Sequence, residues 1–170
     1  IYTTNVLRPV EDQLPTCCTS RNEALSIRIP RRLLADLISH ALQDDPKESC
    51  GLLLGKRHVA DEMHRMSNVN SKPISRYTMQ PSELVEAQDK VKKSNREFVA
   101  IYHSHTFTQG YPSKTDILNA VAVANITTRH VIVSLVEKTR PVVRAFAING
   151  KSEVTELVIE TDGETYRASD

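Results

Sequence analysis

The sequence predicts an α/β protein of the α+β type, with strands dominant and helices packed on the outside of a sheet. Two observations carry that expectation. Apolar, β-branched runs of strand length recur at 51–56, 97–105, 130–136, 142–148 and 153–160, most of them bounded by turn-forming residues. Helical spacing of apolar residues is confined to a few stretches, led by Leu33, Leu34, Leu37, Ile38, Ala41 and Leu42.

Residues 1–25 are polar and irregular, broken by Pro9 and Pro15, and read as an N-terminal extension. Ser26-Ile27-Arg28-Ile29 alternates as a first strand would. Pro30 suits the first turn of the helix that follows. Asp44-Asp45-Pro46 ends that helix, and His40, as an imidazolium, would favour its negative dipole end. Gly51 to Lys56 reads as a buried strand with Cys50 as a small buried residue before it, and His58 to Met66 as its partner. Ser67 to Gln80, with Asn68, Asn70 and Pro73, reads as a solvated loop. Pro81-Ser82 opens a second helix with Ser82 as N-cap and Leu84, Val85, Gln88 and Val91 along one side. A strand from Glu97 runs into His103-Ser104-His105, and a third helix spans Lys114 to Ala124. Three β runs follow, the last two joined by Asn149-Gly150, a type I′ hairpin signal. Residues 163–170 form a polar tail, which leaves 26–162 as one domain.

A chain of 170 residues with a formal net charge of +1 is long enough for a single domain with a real core. No basic stripe points to nucleic acid. No apolar run approaches the roughly 18 residues that span a bilayer, and no charged start followed by an apolar segment marks a signal peptide. Nucleic acid and membrane are therefore not expected partners, and the pattern specifies no oligomeric state. Three cysteines, Cys17, Cys18 and Cys50, make no disulfide framework and fit a reducing, cytoplasmic setting. Cys17 and Cys18 read as ordinary thiols of the N-terminal arm.

The chemistry concentrates in His103-Ser104-His105, followed by Ser113 and Asp116. On a strand, His103 and His105 point to one face. Two imidazoles and a carboxylate are the ligand set of a catalytic Zn²⁺ whose fourth position is left to water. Ser113-Lys114-Thr115-Asp116 is equally a helix capping box. Glu48 stands at the mouth of the 51–56 run. A carboxylate there is either a general base or an exposed acid in a helix-to-strand turn. His40, His58 and His64 have no partner at ligand spacing.

Taken together, Glu48 before Cys-Gly-Leu-Leu-Leu-Gly, His103-Ser104-His105, Ser113 and Asp116 resemble the signature of the JAMM (MPN+) zinc metalloproteases, over about 30–160. The departure is Thr106, where many eukaryotic members carry Pro; with Tyr-Pro-Ser after it, the segment looks closer to prokaryotic members. The resemblance implies the MPN fold, a curved mixed sheet flanked by helices. It implies that His103, His105 and Asp116 bind zinc, that Glu48 is the base acting on water, and that Ser113 steadies the oxyanion. It also implies hydrolysis at the C-terminal Gly-Gly of a ubiquitin-like modifier, as deconjugation or precursor processing. Release of cysteine from the C-terminus of a sulfur-carrier protein uses the same chemistry, and the fold also serves as a non-catalytic scaffold. In such proteins the loop here numbered 67–80 touches substrate, which makes Arg76, Tyr77 and Met79 possible contacts.

Overall fold

The computed structural model describes residues 25–123 and 127–163. Among these, the elements are β1 (Ser26–Arg28), α1 (Arg31–Asp44), β2 (Cys50–Lys56), β3 (Val59–Met66), α2 (Pro81–Lys93), β4 (Glu97–His105), α3 (Lys114–Ala122), β5 (Arg129–Ser134), β6 (Val142–Ile148) and β7 (Val154–Glu160). Cys17 and Cys18 lie outside the described residues.

The expected mixed sheet curves until it closes, in the order β1-β3-β2-β4-β5-β6-β7. β2 runs antiparallel to β3 and β4, β4 runs parallel to β5, and the short β1 joins β7 and β3 in parallel. One face of the sheet gathers residues from every strand, among them Ile27, Leu53, Ala60, Tyr102, Val131, Ala145 and Leu157, and the Leu33–Leu37–Ala41 stripe of α1 packs into it. The opposite face is covered in two patches. α2 lies on Cys50, Leu52, Leu54 and Ile101 through Leu84, Ala87 and Val91. α3 lies on Ile132, Phe146 and Ile148 through Ile117 and Ala120. No helix among the described residues is long and apolar enough to cross a membrane.

Four local expectations are corrected. Pro30 is the N-cap of α1, with ψ 146, so its fixed φ leads into the helix from one residue outside. Gln80 caps α2 and Pro81 takes the first helical position, so Ser82 is not the N-cap; Val85 on that helix is exposed rather than inward. The β6–β7 turn is not type I′: the left-handed residue is Ser152, φ 64. The Asn149 side chain accepts the Lys151 and Glu153 N–H groups, which wraps the turn around Asn149 itself. His40 is buried, which disfavours the imidazolium expected at the helix end. Its Nδ1 lies 2.8 Å from Tyr102 Oη and its Nε2 3.3 Å from Asp44 Oδ2. Burial pulls its pKa down against the opposing pull of Asp44.

Register between β2 and β4 is fixed by a close approach. A Cβ on Gly51 would lie 2.4 Å from the His64 carbonyl oxygen and 2.5 Å from Tyr102 Oη, so only glycine admits the buried phenol.

His130 on β5 is buried, and its Nε2 has no hydrogen-bond partner among the described residues. Burial pushes its pKa down to about 4, helped by His103 and opposed by Asp116. Unfolded, the same imidazole titrates near 6.5. Below that pH the unfolded chain takes up a proton that the folded chain refuses. The stability tied to neutral His130 is complete above about 6.5 and is lost as pH falls towards 4. Metal-free protein should therefore lose on the order of 2 kcal/mol between pH 7 and 4.5 in urea titrations. His130→Phe should flatten that fall, and an unchanged slope would remove His130 from the response.

Candidate metal centre

β4 ends on His103-Ser104-His105, still in register with β2 and β5: His103 pairs with Cys50 and with Ile132. Strand alternation sends both histidines to the helix-covered face and Ser104 to the other. Their Nε2 atoms are 3.0 Å apart and both rings are buried. The carboxylate comes from α3. Ser113 Oγ accepts the Asp116 N–H at 3.2 Å, and Asp116 Oδ2 accepts the Ser113 N–H at 2.7 Å, a complete capping box. The same carboxylate stands 3.4 Å from His103 Nε2 through Oδ1 and 3.3 Å from His105 Nε2 through Oδ2. The cap and ligand readings of Asp116 are thus compatible: the cap aims the carboxylate at the imidazoles.

The donor atoms of His103, His105 and Asp116 lie within 4.8 Å of one another. In a tetrahedral site with bonds of about 2.0–2.1 Å, neighbouring ligand atoms are roughly 3.3–3.4 Å apart. The two Nε2 atoms at 3.0 Å and the two Asp116 oxygens, Oδ1 at 3.4 Å from His103 and Oδ2 at 3.3 Å from His105, lie close to that spacing, each imidazole facing its own oxygen. The residues present fit a small divalent ion. Burial lowers the pKa of His103 against the pull of Asp116, which favours the neutral ring a metal needs. Burial also opposes charge on His105, but the Asp116 carboxylate and the Gln109 carbonyl outweigh it and raise its pKa. Asp116 pays a burial penalty too, yet bonds from His103, His105 and Ser113 hold its carboxyl well below the usual range.

Glu48 precedes β2. The strand's first pair across to β4 is Cys50–His103, two residues after Glu48, and the Glu48 carboxyl feels the charges of His105 and Asp116. Glu48 is 6% exposed, so the solvated-turn reading does not describe it. Burial pushes its pKa up to about 7, with His105 opposing and Asp116 adding. No hydrogen bond reaches its carboxylate among the described residues. Its backbone, by contrast, is held throughout. Thr106 Oγ1 donates to the Pro46 carbonyl at 3.1 Å. The Glu48 N–H donates to the Pro73 carbonyl at 2.7 Å, and Asn68 Nδ2 donates to the Glu48 carbonyl at 2.9 Å. Ser104 Oγ accepts the Ser49 N–H at 2.8 Å, and the Ser104 N–H donates to the Ser49 carbonyl at 3.0 Å.

The 67–80 segment is a largely exposed loop, as expected, but Asn68, Tyr77 and Met79 turn inward towards the centre. Tyr77 stacks on His103, centroids 4.6 Å apart and planes at 24°. Met79 packs with Cys50, Leu52 and Met66, while Arg76 is exposed. Sequence reasoning missed Asn68, Ser104 and Thr106, whose polar groups are read only once the fold shows what faces them. His58 and His64 stay outside the centre, as expected. Cys50 is buried and burial pushes its thiol up to about 12, so it is inert rather than nucleophilic.

The profile of a family described as prokaryotic homologues of the JAB domain matches residues 30–149. A probable TtuB-protein conjugate cleaving protease of Thermus thermophilus is 33% identical over 103 residues, 61% of this chain and 69% of that one. A CysO-cysteine peptidase of Mycobacterium tuberculosis is 33% identical over 92 residues, 50% of this chain and 59% of that one. Among solved structures, a protein of Desulfitobacterium hafniense superposes with TM-score 0.68 at 26% identity, covering 81% of this chain and 94% of that one.

The geometry makes the three ligands interdependent. His103→Ala and Asp116→Ala should each bind zinc at least about 100-fold more weakly in competition with a chromogenic chelator. Unchanged affinity in either variant would contradict the ligand set.

Proposed function

The chain belongs to the prokaryotic homologues of the JAB domain, and from that membership we propose that it is a zinc-dependent peptidase acting at the C-terminal Gly-Gly of a ubiquitin-like protein. The observation that carries the reading is the meeting of a His-His-carboxylate triangle with a buried glutamate whose carboxylate has no hydrogen bond among the described residues. His103, His105 and Asp116 would hold the ion. A zinc ion there would supply an acidified water, with a pKa of ~7, and a Lewis acid for a carbonyl oxygen.

The chain's own groups supply the rest. Glu48, with a pKa near neutrality, takes a proton from water and returns it to the leaving amine. Its backbone restraints keep the carboxylate in place while leaving both oxygens free to exchange that proton. Ser113 Oγ already accepts the Asp116 N–H, so its own O–H points away from the cap and can donate to the developing oxyanion. The half-buried Tyr77, stacked on His103, covers one side of the centre and excludes water there. No step needs a covalent acyl-enzyme. The unit that does this is 26–162, with 1–25 as an extension and 163–170 as a tail. The sparse thiols are consistent with a cytoplasmic setting.

The likeness to a CysO-cysteine peptidase supports a second substrate, a sulfur-carrier protein from whose C-terminus cysteine is released. The two readings differ only in what leaves with the amine. A zinc-free scaffold of the same fold is the alternative of another class; it has no use for a converging ligand triangle. Purified protein with near-stoichiometric zinc supports the enzyme, and protein that takes up none supports the scaffold.

Incubation with a ubiquitin-like fusion, with a sulfur-carrier–cysteine adduct, and with each plus a chelator tests the proposal. Mass spectrometry should show cleavage after Gly-Gly that the chelator abolishes and added zinc restores. Cleavage that persists without metal would sink it. Glu48→Gln should keep zinc affinity and lose at least about 100-fold in kcat; normal turnover would take Glu48 out of the mechanism.

A further inference from the structure

Zinc-binding histidines usually have the ring nitrogen not used for the metal fixed by a hydrogen bond. His105 follows that rule, with Nδ1 2.8 Å from the Gln109 carbonyl. His103 does not: its Nδ1 is buried and has no hydrogen-bond partner among the described residues. What fixes its ring plane is the face of Tyr77. Both peptide groups that flank Tyr77 are held by one side chain. Asn68 Nδ2 donates to the Arg76 carbonyl at 3.0 Å, and Asn68 Oδ1 accepts the Thr78 N–H at 3.0 Å. The same amide donates to the Glu48 carbonyl at 2.9 Å and accepts the Asn70 N–H at 3.0 Å. Two donors and two lone pairs are thereby all engaged.

We infer that Asn68 is a positioning residue that acts on the base and on a metal ligand at once, holding Glu48 by its carbonyl and His103 through the Tyr77 stack. The inference rests on the hydrolase reading for its effect on turnover, and on geometry alone for its effect on metal binding. The isolated Asn68–Met79 bridge and the clamp of Ser67 by Glu83 anchor the ends of the segment, so Asn68 works from a fixed backbone. Asparagine is the type required: it offers two donors and an acceptor from one short, planar group. Aspartate has the same shape and no donor.

Asn68→Asp should lower zinc affinity about 10-fold or more in chelator competition. At saturating zinc it should also lower kcat on a ubiquitin-like fusion about 100-fold with KM little changed. Tyr77→Leu should reproduce the affinity loss, and Tyr77→Phe, which keeps the stack, should restore affinity. Asn70→Ala breaks bonds to the Thr78 hydroxyl and the Lys72 N–H in the same segment but none to the Glu48 carbonyl or to the two peptide groups that flank Tyr77. It should behave as the unmodified protein. An Asn68→Asp protein with unmodified affinity and kcat overturns the inference, and so does an Asn70→Ala protein with equal losses, since segment order alone would then explain both. Should Asn68→Asp fail to fold, the Tyr77 pair decides, and unmodified zinc affinity in Tyr77→Leu overturns the inference. If the unmodified protein cleaves no fusion, the hydrolase reading fails while the zinc measurements still decide this one.

Discussion

The arrangement depends on one register, that of β2 against β4. Cys50 faces His103, and Glu48 stands two residues before that pair. A slip of one residue would send Glu48 to the other side of the sheet, because side chains alternate with period two. The structure defends that register from both faces. On one, Gly51 leaves room for the Tyr102 ring, which no other residue would, and Tyr102 in turn bonds His40. On the other, Cys50, Leu52 and Ile101 are closed over by α2. At the strand ends Ser104 ties itself to both sides of Ser49. The middle residue of His-Ser-His thus fastens the approach to Glu48 onto the strand that carries His103 and His105.

Asp116 shows how an ordinary folding device can carry a site. A capping box satisfies orphan N–H groups at a helix start and needs a carboxylate at its third position. Here the carboxylate reaches both its own cap and two imidazoles from the neighbouring strand. The helix start places the side chain, and the N–H bond from Ser113 fixes which oxygen turns where. The arrangement also explains why a local reading of Ser113-Lys114-Thr115-Asp116 could not choose between a cap and a ligand: the same bonds serve both.

Sequence carried the parts of this protein that rest on periodicity and spacing. Leu33, Leu37 and Ala41 on one stripe of α1, the alternation in β4 and the His-x-His pair are legible because each is set by a fixed repeat along the chain. The closure of the barrel was not, since the pairing of β1 with β7 joins residues more than a hundred positions apart and leaves no local mark. His40 was misjudged for the same kind of reason. Its helix position is that of a surface cation, and only the Tyr102 hydroxyl arriving from β4 makes it a buried, neutral partner. The 67–80 segment looked solvated because Asn, Pro and Ser favour turns. Its hydrogen bonds run to Glu48 and back onto itself, and composition does not record direction.

The restraints on the two carboxylates differ in kind, and the difference fits the roles proposed for each. A ligand should be held through the atoms that coordinate, and Asp116 is bonded through both of its carboxylate oxygens. A proton carrier must change partners within one turnover, so bonds to its oxygens would oppose each transfer. Among the described residues the hydrogen bonds around Glu48 go to peptide groups alone, to its own by Pro73 and Asn68 and to those of Ser49 by Ser104. Burial then sets its affinity for the proton near neutrality without tying the proton down. Thr106 belongs to the same scheme, since its hydroxyl holds Pro46 at the entry to the segment. A proline at that position has no donor to offer, so a chain carrying one must secure the approach to its glutamate by some other contact.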